Sequence, residues 1–288
     1  MNVGIIGLGA MGSGMARTLV AAGYTVFGLD PAIDATVLEL GDNFTVCSAP
    51  TQLTARCETI ILSLPNAAIV EDVVAGNQGL ILSGREGLVL IDTSTSHPDT
   101  SKALAARLSE RGIAFVDAPV SGGPAAANTG AMGMVLGGKE EDIARVAPVL
   151  DAMTRIRTHV GPVGAGHAVK IINNALCAAN LLLGAEAVRL GQAYGIEAGD
   201  VITGVNSGSG RSGVTEVNFP RWILSDDFDS GFTMKLMRKD VRLARDLIGE
   251  AGLDLAMMAS TIAQWAQSED TVADESDFNC IVKTVLKD

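Results

Sequence analysis

An apolar run that leads into three spaced glycines opens the chain at residues 2–12, NVGIIGLGAMG. The run has the length of a short buried strand, and a helical pattern continues from about residue 10 to residue 22. A second strand-like run follows at residues 24–29. This order predicts a βαβ unit whose first turn contains the glycines Gly7, Gly9 and Gly12.

Apolar runs and helical patterns keep alternating through the first half of the chain. The further predicted strands cover residues 59–63, 88–91, 114–116 and 131–136, and the predicted helices cover about 69–74, 99–110 and 140–150. Alternation of this kind predicts an α/β fold with a doubly wound, mainly parallel sheet of the Rossmann type.

Beyond about residue 166, strand patterns fade and long helical patterns replace them. The punctuated stretch GPVGAG at residues 161–166 mixes a proline with three glycines and marks a boundary. We therefore predict a Rossmann-type domain over residues 1–163 and an all-α domain over residues 164–288. The helices predicted for the second domain cover residues 167–194, 197–206, 219–225 and 235–265, with a last one near the C-terminus.

The balance of charges limits the classes of partner. The chain has 288 residues, 48% of them hydrophobic, and carries a formal charge of −12. Such a chain can bury a sizeable core, but 21 Lys and Arg against 33 Asp and Glu argue against binding nucleic acid or an anionic membrane by charge alone. A small acidic substrate would need a local basic pocket.

Cysteine spacing and the first residues of the chain favour a cytoplasmic protein. The four cysteines form no C-x-x-C pair, so we expect buried, reduced thiols rather than a zinc module or a disulfide framework. The N-terminus has no basic region or cleavage site, and we expect no secretory signal. The apolar run from Lys170 to about Ala185 contains three asparagines, and we expect it to be too short and too polar for a membrane span.

The glycine pattern has a physical meaning because it follows a strand and begins a helix. Gly7 permits a tight turn, Gly9 lets the backbone approach a pyrophosphate, and Gly12 lets the helix pack close to the strand. The free N–H groups and the dipole of the helix N-terminus favour an anionic diphosphate. The loop Gly7-Leu8-Gly9-Ala10-Met11-Gly12 therefore predicts a dinucleotide site, although a glycine-rich turn without a ligand has the same pattern.

Asp30 follows the second strand, where a carboxylate can accept hydrogen bonds from both hydroxyls of the adenosine ribose. A ribose 2′-phosphate would be repelled there, and no Lys or Arg occurs between Arg17 and Arg56 to hold it. We therefore expect NAD as the cofactor rather than NADP. An acidic residue at this place can also cap a helix or lie in a solvated turn.

Lys170 is the one cation in an otherwise apolar helical stretch, KIINNALCAANLLL, at residues 170–183. A charge on an apolar surface is costly unless it is paired or used. Asn174, one helical turn on, adds a second hydrogen-bonding side chain to the same face. A lysine can take the proton of an alcohol during hydride transfer if desolvation or a nearby positive charge lowers its pKa toward neutrality. Alternatively, its long stem reaches solvent at the domain boundary.

Five segments together resemble the β-hydroxyacid dehydrogenase family, which includes 3-hydroxyisobutyrate, tartronate semialdehyde and threonate enzymes. They are GLGAMG at 7–12, DTSTSHP at 92–98, DAPVSGG at 117–123, GPVGAG at 161–166 leading into KIINN at 170–174, and KD at 239–240. The resemblance covers essentially the whole chain. It implies a long interdomain helix between the two domains and a cleft between them.

The resemblance also implies substrate-binding residues. Lys170 is then the catalytic acid/base, Asn174 lies beside it, and the segment Ser121-Gly122-Gly123 holds the substrate carboxylate. A hydroxyl and closely approachable backbone N–H groups make a suitable cradle for a carboxylate. The alternatives are that Asn174 serves only a neighbouring backbone carbonyl and that Ser121–Gly123 is a plain turn between strands.

On the cofactor side, the resemblance implies three contacts. Thr95 lies at the nicotinamide and substrate end, Lys239 reaches the cofactor across the cleft, and Leu64-Pro65-Asn66 touches the adenosine ribose and diphosphate region. Thr95 could instead cap the helix after Pro98, and Lys239 could be a solvated neighbour of Arg238. The three histidines, His97, His159 and His167, are scattered, so we expect neither a metal site nor a histidine base.

The group beyond the carboxylate and hydroxyl is not fixed by these motifs. We expect a small anionic hydroxy acid similar to 3-hydroxyisobutyrate, with tartronate semialdehyde, threonate or sulfonated aldehydes as alternatives within the family. Arg211, in the loop SGSGRSG at 207–213, is a hypothetical contact for the far end of the substrate, or else a surface residue. The family resemblance and the apolar helices also favour a homodimer or homotetramer.

Three other assignments fit the sequence less well. An imine reductase shares the implied architecture, but the Lys170-x-x-x-Asn174 pattern favours hydroxyacid chemistry, and 6-phosphogluconate dehydrogenases have longer chains. A catalytically silent dinucleotide-binding module would be expected to lose Lys170, which this chain keeps.

Overall fold

The computed structural model describes residues 1–34 and 38–286. The chain divides into two compact units, Met1–Lys170 and Ile171–Asp288. The first is a Rossmann-type α/β unit and the second is built of helices, which confirms the predicted fold class. The division falls inside a long helix that begins at Ala165. The predicted domain boundary between residues 163 and 164 stays a prediction.

A nine-stranded sheet forms the centre of the first unit. Its strands are β1 Asn2–Ile6, β2 Thr25–Leu29, β3 Phe44–Val46, β4 Thr59–Leu62, β5 Val89–Asp92, β6 Ala114–Asp117, β7 Val120–Ser121, β8 Met132–Gly137 and β9 Thr154–Gly161. They lie in the order β3-β2-β1-β4-β5-β6-β8-β7, with β9 paired to β8. Strands β1 to β6 pair in parallel, whereas β8 runs antiparallel to β6 and β7.

Helices cover both faces of this sheet. They are α1 Ala10–Ala21, α2 Pro50–Thr54, α3 Ala67–Ala75, α4 Leu80–Ser83, α5 Pro98–Ser109, α6 Gly123–Thr129 and α7 Glu140–Met153. Successive side chains of β4 point to opposite faces, so Ile61 packs in one buried cluster with Met15, and Ile60 packs in another with Leu53. Burial on both faces explains why the parallel strands are continuous apolar runs.

The second unit packs its helices around two large aromatic side chains. Its helices are α8 Ala165–Ala193, which starts in the first unit, α9 Ala198–Asn206, a π-helix Val214–Ile223, α10 Met234–Glu250 and α11 Ala256–Gln267, with 3₁₀ turns at Ser268–Asp270 and Phe278–Thr284. Phe219 and Trp265 are fully buried and pack with Leu181 of α8 in one apolar cluster. This core buries the middle of α8, from Ala178 to Val188.

The single helix predicted over residues 235–265 is wrong, because α10 ends at Glu250 and α11 begins at Ala256. Gly252 between them has a φ of 64°, in the left-handed region that ends a helix and favours glycine. The apolar residues before and after Gly252 keep a helical period, so the sequence pattern alone does not show that the helix is interrupted there. The helix predicted at 219–225 begins earlier, at Val214.

The sequence patterns also miss several elements of the first unit. Strands β3 and β7 have only three and two residues, and α2, α4 and α6 are likewise short. Strand β9 has eight residues, but its side chains are mostly exposed, with Ile156 61% exposed. A strand with so few buried side chains lacks the alternation that predicts strands.

Helix α8 is longer than the apolar run in the sequence suggests. It has 29 residues and a mean hydropathy of 1.4 in its most apolar window, so by length and composition alone it could cross a membrane. The expectation that this stretch is too short for a span is therefore wrong. Half of that window is buried inside the protein, as in a core helix.

All four cysteines are free thiols. Cys47 and Cys57 are buried, whereas Cys177 and Cys280 are half-buried. Burial raises the pKa of the Cys57 thiol to about 12. A thiol with so high a pKa stays neutral, which suits a packing role and not a nucleophile.

Candidate functional site

The glycine loop between β1 and α1 is shaped by close backbone contacts. Gly7 has a φ of 91°, and a Cβ on Gly7 would overlap the carbonyl oxygen of Ser63. A Cβ on Gly12 would overlap the carbonyl oxygen of Gly7. Gly9 differs, because none of the described residues lies within 4 Å of the position its Cβ would take. The first and third glycines are thus needed by the fold, and the second leaves open space beside the backbone.

Asp30, at the end of β2, is hydrogen-bonded to this loop. Its Oδ2 accepts from the backbone N–H of Leu8 at 2.7 Å, and its Oδ1 accepts from those of Ala32 and Ile33 at 2.8 and 3.2 Å. The carboxylate therefore orders both the glycine loop and the turn that follows β2. Oδ1 already accepts two of these bonds and Oδ2 only one, so the second lone pair of Oδ2 leaves acceptor capacity for a ribose hydroxyl.

The loops that follow β4 and β5 are joined by Ser94. The backbone N–H of Leu64 donates to Ser94 Oγ at 3.0 Å, and Asn66 caps α3 by accepting from the N–H of Ile69 at 3.0 Å. Thr95 lies next to Ser94. The alternative role of Thr95 as the cap of α5 is wrong, because the cap is His97, whose Nδ1 accepts from the N–H of Asp99 at 3.3 Å.

Lys170 and Ser121 meet within the first unit. Lys170 Nζ donates to Ser121 Oγ at 3.0 Å. Ser121 ends β7, and Gly122 and Gly123 lead directly into α6. Lys170 is half-buried and lies in the second turn of α8. The contact brings together the predicted acid/base and the predicted carboxylate cradle.

Two buried residues that the sequence analysis did not assign hold the start of α8. Asp117, at the end of β6, is fully buried and accepts from the N–H of Gly164 at 2.8 Å and from that of His167 at 2.9 Å. His167 is also fully buried, although its place among scattered histidines gave no reason to expect a role. The sequence contained one signal for Asp117, because it is an acidic residue at the carboxyl end of a predicted strand and the first residue of the DAPVSGG motif.

Three polar residues are brought together within the second unit. Asn174 of α8 donates from Nδ2 to Asp240 Oδ2 of α10 at 2.5 Å, and Lys239 Nζ lies 3.2 Å from Asp240 Oδ1. Asn174 and Asp240 are 5% and 1% exposed. The amide of Asn174 thus serves a side-chain carboxylate rather than a backbone carbonyl. Asp240 thus contacts both predicted site residues.

Arg211 lies in the loop between α9 and the π-helix. Its side chain is 67% exposed, and its nearest guanidinium nitrogen is 4.0 Å from Glu216 Oε1. An ion pair of this length at the surface is weak. The loop therefore leaves the arginine available to a ligand but does not hold it in one orientation.

Two family models together match nearly the whole chain. One is described as the NAD binding domain of 6-phosphogluconate dehydrogenase and matches residues 2–161. The other is described as NAD-binding of NADP-dependent 3-hydroxyisobutyrate dehydrogenase and matches residues 164–285.

Individual relatives match the chain over most of its length. The 2-(hydroxymethyl)glutarate dehydrogenase of Eubacterium barkeri is 34% identical over 283 residues, which cover 98% of this chain and 94% of that protein. The mitochondrial 3-hydroxyisobutyrate dehydrogenase of Mus musculus is 34% identical over 252 residues, or 85% of this chain and 75% of that one. The chain belongs to the β-hydroxyacid dehydrogenase family.

A solved β-hydroxyacid dehydrogenase has the same fold. The structure of Mycobacterium tuberculosis 3-hydroxyisobutyrate dehydrogenase with L-serine matches with a TM-score of 0.87 at 27% identity, covering 98% of each chain. As a β-hydroxyacid dehydrogenase, this protein is an oxidoreductase with domains that bind a nicotinamide dinucleotide. The glycine loop fits such a cofactor, because only Gly9 leaves room for a pyrophosphate to approach the backbone.

Replacing Gly9 with alanine tests this fit. We expect an unchanged Tm, because Gly9 has a φ of −62° that alanine adopts readily and no described residue lies within 4 Å of the new methyl group. We expect the dissociation constant of the dinucleotide to rise about tenfold, because the methyl group occupies the approach path of the diphosphate. Titration of protein fluorescence measures the affinity.

The matched control is Gly249→Ala, in α10, where the new methyl group also has no described residue within 4 Å. This variant should bind the dinucleotide like the parent protein. Unchanged affinity in Gly9→Ala would show that the dinucleotide does not lie on this loop.

Proposed function

We propose that this β-hydroxyacid dehydrogenase interconverts a small β-hydroxy acid and its semialdehyde or keto acid, with Lys170 as the acid/base and NAD as the cofactor. The observation that carries the proposal is the 3.0 Å hydrogen bond between Lys170 Nζ and Ser121 Oγ. It places an amine that can exchange a proton next to a hydroxyl that can hold a carboxylate. A β-hydroxy acid carries both groups that these two side chains recognise.

The direction of that hydrogen bond suits an anionic substrate. Since Lys170 Nζ donates to Ser121 Oγ, the hydroxyl proton of Ser121 can be donated onward to a carboxylate. The backbone N–H groups at Gly122 and Gly123 add donors without side chains that would obstruct the substrate. Together they provide the local basic pocket that the acidic chain needs.

Lys170 would then move the proton that the redox reaction releases or consumes. When bound, the dinucleotide supplies the hydride acceptor or donor. During oxidation, Lys170 Nζ takes the proton of the substrate hydroxyl, and during reduction it returns a proton to the carbonyl oxygen. Asn174 contributes a second hydrogen-bonding group on α8, and Asp240 holds its amide in place.

NAD is the proposed cofactor because Asp30 stands where the adenosine ribose is bound in a Rossmann-type fold. A 2′-phosphate at that position would meet a carboxylate. Lys239, which forms an ion pair with Asp240 at 3.2 Å, is a further proposed contact to the cofactor.

Arg211 is the proposed contact for a polar or anionic group at the end of the substrate that lies far from its carboxylate. Exposed Ile172, Leu176 and Leu183 along α8 favour a homo-oligomer.

A substrate panel tests the proposal. It contains 3-hydroxyisobutyrate, 3-hydroxypropionate, glycerate, threonate, 2-(hydroxymethyl)glutarate and a sulfonated analogue, each with NAD and with NADP. We expect the highest kcat/KM with 3-hydroxyisobutyrate or a close analogue and NAD, measured by the formation of reduced nicotinamide.

The matched control substrate is 2-methylpropan-1-ol, which keeps the hydroxyl of 3-hydroxyisobutyrate and lacks its carboxylate. It should be turned over far more slowly, because it cannot use Ser121–Gly123. Absence of turnover across the whole panel with both cofactors would rule out the proposed function, and equal turnover of the control alcohol would rule out the carboxylate cradle.

A further inference from the structure

A buried histidine one turn before Lys170 connects the start of α8 to the loop after β5. The imidazole of His167 is fully buried. Its Nε2 lies 3.0 Å from the carbonyl oxygen of Ser94, and its Nδ1 lies 2.7 Å from the hydroxyl oxygen of Ser101. Both ring nitrogens therefore have a partner within the first unit.

The two partners assign the tautomer of the ring. A backbone carbonyl can only accept, so His167 Nε2 carries the proton and donates to Ser94. His167 Nδ1 then accepts from the Ser101 hydroxyl. Asp92 Oδ2 lies 3.8 Å from Nε2, beyond hydrogen-bond distance, and the Asp92 carboxylate instead accepts from Ser94 N at 3.0 Å and Ser96 Oγ at 3.2 Å.

Ser94 is the point at which several site segments meet. Its hydroxyl oxygen accepts from the N–H of Leu64, its N–H donates to Asp92, and its carbonyl accepts from His167. Leu64 begins the segment Leu64-Pro65-Asn66, and Thr95 is the next residue after Ser94. One buried residue thus holds the two loops proposed to meet the cofactor and, through His167, the helix that carries Lys170.

His167 lies close to Lys170 on the same helix, so the contacts that hold His167 also bear on the position of Lys170. The two residues are three apart on α8, so they lie on the same side of the helix. The backbone N–H of His167 is also fixed by Asp117 at 2.9 Å. Because His167 is held through both its backbone and its ring, the helical turn that leads to Lys170 is tied to β6 and to the loop after β5.

We propose that His167 is a positioning residue. Through its hydrogen bond to the Ser94 carbonyl, it fixes the position of Lys170 relative to the loops at Leu64–Asn66 and Ser94–Thr95. This inference rests on the proposed role of Lys170 as the acid/base. Its importance follows from the sensitivity of proton transfer to distance, since a misplacement of about 1 Å can cost about 100-fold in rate.

Two amide substitutions separate the two hydrogen bonds of the ring. The amide nitrogen of His167→Gln reaches the place of Nε2 and can still donate to Ser94, whereas the shorter His167→Asn reaches the place of Nδ1 and keeps only Ser101. We expect kcat of the Gln variant within about threefold of the parent protein, and kcat of the Asn variant lower by about tenfold or more. Both should bind NAD normally, because the glycine loop and Asp30 are unchanged, and should keep the KM for the hydroxy acid, because Ser121, Gly122 and Gly123 are unchanged.

Ser101→Ala is the matched control, because it removes the other hydrogen bond of the same ring. It should lower Tm as much as His167→Asn does, yet leave kcat nearly unchanged. Crystal structures of the variants give a readout that does not depend on activity, namely the distance from Lys170 Nζ to Ser121 Oγ, which should lengthen only in His167→Asn. Equal kcat in the Gln and Asn variants, or a loss in Ser101→Ala as large as that in His167→Asn, would overturn the proposal. An inactive parent protein would instead count against the proposed function.

Discussion

Replacing Lys170 with alanine should lower kcat by about 10²- to 10⁴-fold, the range that a positioned acid/base contributes. Hydride transfer from an alcohol requires a group that removes the hydroxyl proton, and Lys170 Nζ is the amine hydrogen-bonded to Ser121 of the proposed carboxylate cradle. The affinity for the dinucleotide should be retained, because the glycine loop is held by its own backbone contacts and by Asp30. Steady-state kinetics and direct titration of NAD measure the two quantities separately.

An arginine at this position distinguishes proton transfer from simple charge. Lys170→Arg keeps a cation beside Ser121, but a guanidinium stays protonated and cannot serve as the base. We expect kcat of the arginine variant to fall as far as that of the alanine variant, while its KM for the hydroxy acid stays closer to that of the parent protein. Retained turnover in Lys170→Arg would disprove the acid/base role and leave only an electrostatic one.

Lys139→Ala is the control for the loss of a lysine as such. Lys139 precedes α7, its side chain is 74% exposed, and it lies 3.8 Å from Glu141. Exposed pairs of this kind contribute little. The control variant should therefore match the parent protein in kcat, KM and Tm.

The glycine loop shows what local patterns can predict. Its position between a strand and a helix, and the contacts of Gly7 and Gly12 with nearby backbone, involve residues close in sequence or in adjacent strands. Rules for turns and helix ends apply directly to such short segments. The fold class was predictable for the same reason, because each buried parallel strand is a continuous apolar run and each long helix keeps a helical period.

The residues that hold the proposed site residues in place were not predictable from such local patterns. Asp117 contacts Gly164 and His167, and His167 contacts Ser94 and Ser101, all across long stretches of chain. No period or spacing in the sequence connects these positions. The cluster of Asn174, Asp240 and Lys239 likewise depends on how α10 packs against α8. The sequence therefore indicated the proposed reactive groups, and the fold shows which residues contact them.

Removing the carboxylate of Asp117 should be the most destabilising of the changes considered. Helix α8 begins at Ala165, and the first N–H groups of a helix have no partners within it. The two oxygens of Asp117 accept from Gly164 N and His167 N at 2.8 and 2.9 Å. The negative carboxylate also interacts favourably with the helix dipole.

Gly137 and Gly166 pack directly against Asp117. A Cβ on Gly137 would overlap the carboxylate, and one on Gly166 would lie 2.9 Å from Asp117 Oδ2 and 2.7 Å from the backbone oxygen of Asp117. The side chain therefore fills a space that two glycines leave for it. Loss of the carboxylate leaves two buried N–H groups without an acceptor and a small cavity beside them.

Asp117→Ala should reduce the free energy of unfolding by about 3–5 kcal/mol, since a hydrogen bond to a charged group is worth about 1.5–3 kcal/mol. Asp117→Asn should lose less, because its amide oxygen still accepts from one N–H group while its NH₂ faces the other. Denaturant-induced unfolding gives both values. Both variants should also lose kcat, because the turn that carries Lys170 begins at this anchor.

Asp99→Ala is the matched control, an acidic residue in the first turn of α5 whose side chain is exposed and paired with Lys102. Its loss should leave unfolding and kcat nearly unchanged, because an exposed carboxylate at a helix start is replaced by water. If Asp117→Ala unfolded at the same denaturant concentration as Asp99→Ala, the carboxylate would not be the anchor of α8.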